Sequence, residues 1–305
     1  MNIFFILIYR NKYKKNKCIL AYKLNIAINM ANKCKKYAIV IGNDGLGDMI
    51  SYYGIVKYLS SMYKVVLVAC ETRNYDNMKY LYEHDNIKLY VFNNVISTNL
   101  YEFYQCMMKN KDFYDVYPLG NYGAIRLDLK KYTKTLPNNI TKKIIHDYPI
   151  SYYEDANMPI EYLTEYFSFT YPKEILDIYD ELFQNYDKYI VFHQKGSNVP
   201  LIDFVSYQKI DINNVLTIDV NQNLYKSDHK FFNIAQKFVN LPSIIFYSKL
   251  LESASSLYLI DSCLHALALI IDVSKANPKI CYQRESRFNY GFKKFDYFHL
   301  IFYQK

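Results

Sequence analysis

Short apolar runs alternate with amphipathic stretches along this chain, and that alternation leaves few folds open. The first run, 37–41, is rich in β-branched residues and stops at Gly42. A glycine-rich turn follows, made of Gly42, Asn43, Asp44, Gly45, Leu46, Gly47 and Asp48. Over 49–62 the apolar residues Ile50, Tyr53, Ile55, Val56 and Leu59 recur at helical spacing. A brief apolar run bounded by turn residues reads as a buried parallel strand, and recurrence at three and four residues reads as a helix face. The same reading makes 65–69 a strand, 77–82 a short helix and 87–92 another strand. Strand, helix, strand, helix, strand is the order of a doubly wound parallel sheet.

A helical stretch at 100–108 and a strand near 116–119 continue the order. Residues 149–169 and 174–186 are mainly helical in pattern, and the chain is expected to cross there into a second half. That half opens with a strand at 189–192, followed by His193, Gln194, Lys195, Gly196 and Ser197. It continues with a strand at 215–220, helices at 230–239 and 248–255, a strand at 257–260, an apolar helix at 266–271 and a last strand at 279–282. A length of 305 residues suits two domains of ordinary size. The expected fold is therefore α/β, with two Rossmann-like doubly wound domains facing across a cleft. Residues 1–36 are an N-terminal extension that need not be ordered, 37–170 the first domain and 171–305 the second.

Composition narrows the function classes. Hydrophobic residues make up 51% of the chain and charged residues 22%, enough to bury a core and stay dissolved. The net charge of +8 is spread among acidic residues, and its densest basic run, 10–17, precedes the first strand, so no nucleic-acid partner is expected. Six cysteines form no CxxC pair, which excludes a zinc knuckle of that kind, and they are expected to be reduced. The apolar opening at 1–9 is too short for a membrane span, and its lysines follow rather than precede it, unlike a signal peptide. A cytoplasmic protein without a stable membrane span is expected. The 35 tyrosines beside an absence of tryptophan reflect coding bias more than stacking function.

Three loops carry residues suited to chemistry, since ligands of open α/β sheets bind beyond the carboxyl ends of the strands. In the first, Gly42, Gly45 and Gly47 allow close backbone approach, either to a phosphate or to a catalytic side chain. They also resemble a permuted dinucleotide fingerprint, for which Glu71 would hold the ribose. Asp48 opposes that use, because a carboxylate at the helix start repels a pyrophosphate. It suits either a helix cap or a general base. In the second loop, His193, Lys195, Gly196 and Ser197 offer cation, open backbone and hydroxyl to a diphosphate. In the third, Asp261 is expected to cap a helix and leave Ser262 and His265 to face an anion.

Together these loops resemble the inverting glycosyltransferases of GT-B type, especially the heptosyltransferase-like family. The likeness lies in Leu46, Gly47, Asp48, Met49 and Ile50, in Lys195, Gly196 and Ser197, and in Asp261, Ser262, His265, Ala266 and Ala268. This chain has three residues between Asp261 and His265 where the family usually has four, and Cys263 where glycine is usual. The resemblance implies that Asp48 deprotonates an acceptor hydroxyl while the second and third loops hold a nucleotide-diphosphate sugar. The acceptor is a glycan, lipid or protein. The chain has no Asp-x-Asp motif, so no metal or other cofactor is expected. A nicotinamide-dependent oxidoreductase and a catalytically inactive nucleotide-sugar-binding or partner-binding protein are the alternatives.

Overall fold

The computed structural model describes residues 37–43, 45–84, 86–92, 114–120, 149–196, 201–283 and 298–302. The apolar run at the start forms β1, Tyr37–Ile41, and all five residues are buried. It is flanked by β2 (Val66–Glu71) and β4 (Tyr114–Pro118), while β3 (Ile87–Phe92) lies outside β2. The sheet order is β3-β2-β1-β4 and every pairing is parallel.

The helix expected at 49–62 is two helices, α1 (Leu46–Ser51) and α2 (Tyr53–Met62). At the break Ser51 Oγ donates to the Gly47 carbonyl at 2.8 Å, a back-bond that bends helices. The segment 77–82 is the end of a longer helix, α3 (Thr72–Tyr82). Within 149–169 the helical pattern resolves into α4 (Ile150–Asp155) and α5 (Tyr162–Glu165). Asn157 ends α4 in the left-handed region, φ 52°, and Pro159 bars its immediate resumption. Then α6 (Lys173–Asn185) leads into the second half. The expected helix at 100–108 lies outside the described residues, as does the extension 1–36.

The second sheet runs β6-β5-β7-β8-β9, again all parallel. Its strands are β5 (Ile190–His193), β6 (Thr217–Asp219), β7 (Ser256–Ile260), β8 (Lys279–Gln283) and β9 (His299–Phe302). Between them lie α7 (Phe204–Gln208), α8 (Phe232–Gln236), a 3-10 turn at Ile244–Tyr247, α9 (Ser248–Ser253) and α10 (Cys263–Ala268). Two Rossmann-like parallel sheets are thus present, and one compact unit, residues 35–305, holds both. Strand side chains alternate between faces. Val191, Leu257, Leu259 and Cys281 join a large buried cluster that also takes in Ala38, Val40 and Val68 of the first sheet. Phe192, Tyr258, Ile260, Ile280 and Tyr282 form a smaller cluster on the opposite face.

Candidate functional site

In each sheet the chain winds outward from its first strand and then returns to that strand's other side. The crevice at such a reversal is where open α/β sheets bind ligands. The reversal falls between β1 and β4 in the first sheet, and between β5 and β7 in the second.

At the first reversal β1 runs into Gly42 and Asn43, and β4 into Leu119 and Gly120. Tyrosine rings occupy the space that these glycines leave. A Cβ on Gly42 would fall 2.5 Å from the Tyr52 ring, and one on Gly120 the same 2.5 Å from the Tyr152 ring. Gly120 also has φ +71°, a region that favours glycine. Gly45 is the N-cap of α1, and the Asp48 carboxylate lies so close to it that no Cβ fits there. Asp48 accepts hydrogen bonds at Oδ1 from the Tyr152 hydroxyl and, at 3.2 Å, from Asn43 Nδ2. Asn43 Nδ2 also donates to the Tyr152 hydroxyl at 2.9 Å. One turn beyond Tyr152, Asp155 accepts the Gly120 N–H at 2.6 Å, and burial raises its carboxyl above the ordinary range.

At the second reversal His193, the last residue of β5, places Nδ1 2.8 Å from Ser262 Oγ. The imidazole is buried, and burial pushes its pKa down from 6.5 to about 4, so it is neutral at ordinary pH. The N-cap of α10 is Ser262, not Asp261 as the sequence suggested, and its hydroxyl serves His193 rather than the helix. Asp261 instead donates its N–H to the Tyr282 carbonyl at 3.0 Å, with Oδ1 3.7 Å from His265 Nδ1. His265, expected to face an anion, is buried, and its ring meets Phe298 edge-on at 5.0 Å. Gln283, the last residue of β8, is fully buried, and among the described residues neither its amide nitrogen nor its amide oxygen has a hydrogen-bond partner.

Loop two is held by side chains that sequence reading passed over. Buried Gln194 donates to Asp219 Oδ2 at 2.8 Å and accepts the Phe204 N–H at 2.7 Å. Burial raises the Asp219 carboxyl above the ordinary range. The Lys195 N–H donates to Asn221 Oδ1 at 3.0 Å, leaving the lysine side chain exposed beside Gly196. Ser197 lies outside the described residues.

The two reversals meet through their helices. A Cβ on Gly47 would come within 3.3 Å of both the Cys263 Cα and the Ala266 Cβ, so α1 rests almost directly on α10. Asp48 follows Gly47 and Ser262 precedes Cys263, which sets both beside one helix crossing. Each is partly accessible. The sequence named Asp48, His193 and Ser262, and the fold brings the last two into contact. It missed Asn43, Tyr152, Gln194, Asp219 and Gln283. Asn43 stood inside the first loop; Tyr152 lies 104 residues from Asp48, with no local pattern to betray it. Concavities of about 290 and 490 Å³ lie elsewhere, one against Phe169, Tyr171 and Lys249, the other against Tyr153 and Met158. Segments 121–148, 197–200 and 284–297, which continue from β4, loop two and β8, are outside the described residues.

Among the described residues no group of three or more His, Cys, Asp and Glu stands together to hold a metal ion. No helix among them is long and apolar enough to cross a membrane. The class these strands and helices define is an α/β protein with two Rossmann-like parallel sheets. No family model and no curated protein sequence matches the chain. In structure the chain is similar to a glycosyl transferase family 9 protein from Veillonella parvula DSM 2008, at 12% identity and a TM-score of 0.49, covering 88% of this chain and 86% of that one. It is also similar to ADP-heptose LPS heptosyltransferase II of E. coli, at 10% identity and a TM-score of 0.48, covering 87% and 90%.

Proposed function

We propose that this chain is a glycosyltransferase that moves a sugar from a nucleotide-diphosphate donor to an acceptor hydroxyl, without a metal and with inversion. The single observation that supports the reading is the crossing of α1 and α10, which sets a hydrogen-bonded carboxylate, Asp48, and the Ser262 hydroxyl beside one helix contact. In this scheme Asp48 takes the proton of the acceptor hydroxyl while its oxygen attacks the anomeric carbon from the face opposite the diphosphate. The bond between that carbon and the diphosphate oxygen breaks, and the departing charge needs donors fixed in advance. Ser262 is the donor held in place here, and Lys195, Gly196 and Ser197 of loop two are proposed as the further donors. His193 is a positioning residue here, buried behind Ser262 and orienting its hydroxyl. The acceptor, a glycan, lipid or protein, sits over the first sheet.

Two contacts disfavour the nicotinamide alternative. The Asp48 carboxylate lies against Gly45, the second glycine of the turn, where a pyrophosphate would have to approach the backbone. Glu71, which would bind the ribose, is buried, with Oε2 2.6 Å from Arg73 Nε. The test is a panel of nucleotide sugars and dinucleotides, read by thermal shift and by release of nucleoside diphosphate. A nucleotide sugar is expected to raise the melting temperature and be turned over. Asp48→Asn is expected to slow release by about a hundredfold or more while leaving the thermal shift intact. A shift with NADH and none with any nucleotide sugar would overturn the proposal.

A further inference from the structure

We infer that Tyr152, assisted by Asn43, is a positioning residue for Asp48: its hydroxyl fixes the carboxylate through Oδ1. The inference rests on the reading of Asp48 as the base, and it concerns residues on elements far apart in the chain.

The direction of each hydrogen bond follows from chemistry. The nitrogen of the Asn43 amide donates both to Asp48 Oδ1, at 3.2 Å, and to the Tyr152 oxygen, at 2.9 Å. Turning the amide over would set its oxygen against a carboxylate oxygen, so the assignment is fixed by repulsion. An ionised carboxylate only accepts, so in this contact the Tyr152 hydroxyl donates its hydrogen to Asp48 Oδ1. Both donors therefore favour the ionised carboxylate.

Tyr152 itself has little freedom. It is buried, its ring meets Tyr52 edge-on at 5.6 Å, and the bare Cα of Gly120 lies against its ring. Asp155, one turn later on α4, clasps the Gly120 N–H at 2.6 Å and so docks the helix on the end of β4. The hydroxyl of Tyr152 is thus delivered to Asp48 by an anchor at the neighbouring strand. A carboxylate held this way keeps one orientation toward the acceptor, and donors that bond its ionised form favour that form.

The test titrates the Asp48 carboxyl by carbon NMR in the full chain, with Asp48→Asn identifying the resonance. Tyr152→Phe keeps the ring and removes only the donor, so the midpoint is expected to rise by about one pH unit. Asn43→Ala is expected to move it the same way. The acid limb of the nucleoside-diphosphate release profile should follow by the same amount. If Tyr152→Phe fails to fold, Asn43→Ala, which leaves both rings in place, decides the matter. An unmoved midpoint in a folded variant overturns the inference. A raised midpoint, with release indifferent to Asp48→Asn, upholds the positioning role and instead sinks the reading of Asp48 as base.

Discussion

His193 shows how one buried side chain ties stability to pH. Its imidazole is neutral because burial lowers the pKa from 6.5 to about 4. Between those values the unfolded chain binds a proton that the folded chain does not. Acidification therefore favours unfolding: the contribution is complete above about 6.5 and is lost as pH falls toward about 4. A shift of that size corresponds to roughly 3 kcal/mol. Urea unfolding from pH 7 to pH 4 is expected to show a shallower decline in His193→Gln than in the parent, by a part of that amount. Equal slopes would mean that the imidazole is charged inside the fold. The same neutrality lets its Nδ1 share a single hydrogen with the Ser262 hydroxyl, so the tautomer decides whether that hydroxyl can donate onward.

At the scale of elements, the strands were the legible part of the sequence and the contacts between helices were not. The runs at 37–41, 87–92 and 257–260 announce themselves because strands of a parallel sheet are apolar on both faces. The strand β9 and the helix α7 escaped notice, being only four and five residues long. The division between α1 and α2 escaped too, since the periodicity of apolar residues runs through Tyr52 without interruption. What broke the helix was a serine back-bond and a ring that must reach Gly42. Candidate site residues were legible where they stood at a strand end or in the first turn of the helix that follows, as His193, Ser262 and Asp48 do. Their partners were not, because Tyr152 arrives from α4 and Asp219 from β6. The glycines suit close approach of either a phosphate or a catalytic side chain; at 45 the close neighbour is the Asp48 carboxylate, while the room at 42 and 47 is taken by Tyr52 and by α10. Gly47→Val is accordingly expected to destabilise the chain by about 1 to 3 kcal/mol through overpacking. Urea midpoints would check this, and an unchanged midpoint would mean that α1 and α10 are not in contact.

For the whole molecule, the buried cluster runs without a break from the first sheet to the second. Polar ties reinforce it. Ser243 Oγ donates to the Asn77 carbonyl at 2.6 Å, and the Ile244 N–H donates to Asn77 Oδ1 at 2.7 Å. Nearby, the rings of Tyr80 and Phe246 stand 4.8 Å apart. Neither half can unfold without exposing the apolar surface of the other. A single calorimetric transition is expected, with calorimetric and van't Hoff enthalpies in agreement. Two resolved transitions would show that the halves are energetically separate.

The bare backbone at residue 47 has one more consequence. Where two helices touch with only the Ala266 methyl between them, the contact acts as a fulcrum: any swing that preserves it displaces atoms in proportion to their distance from it. Asp48 and Ser262 flank that fulcrum, so such a swing would barely alter their spacing while the far rims travelled several times as much.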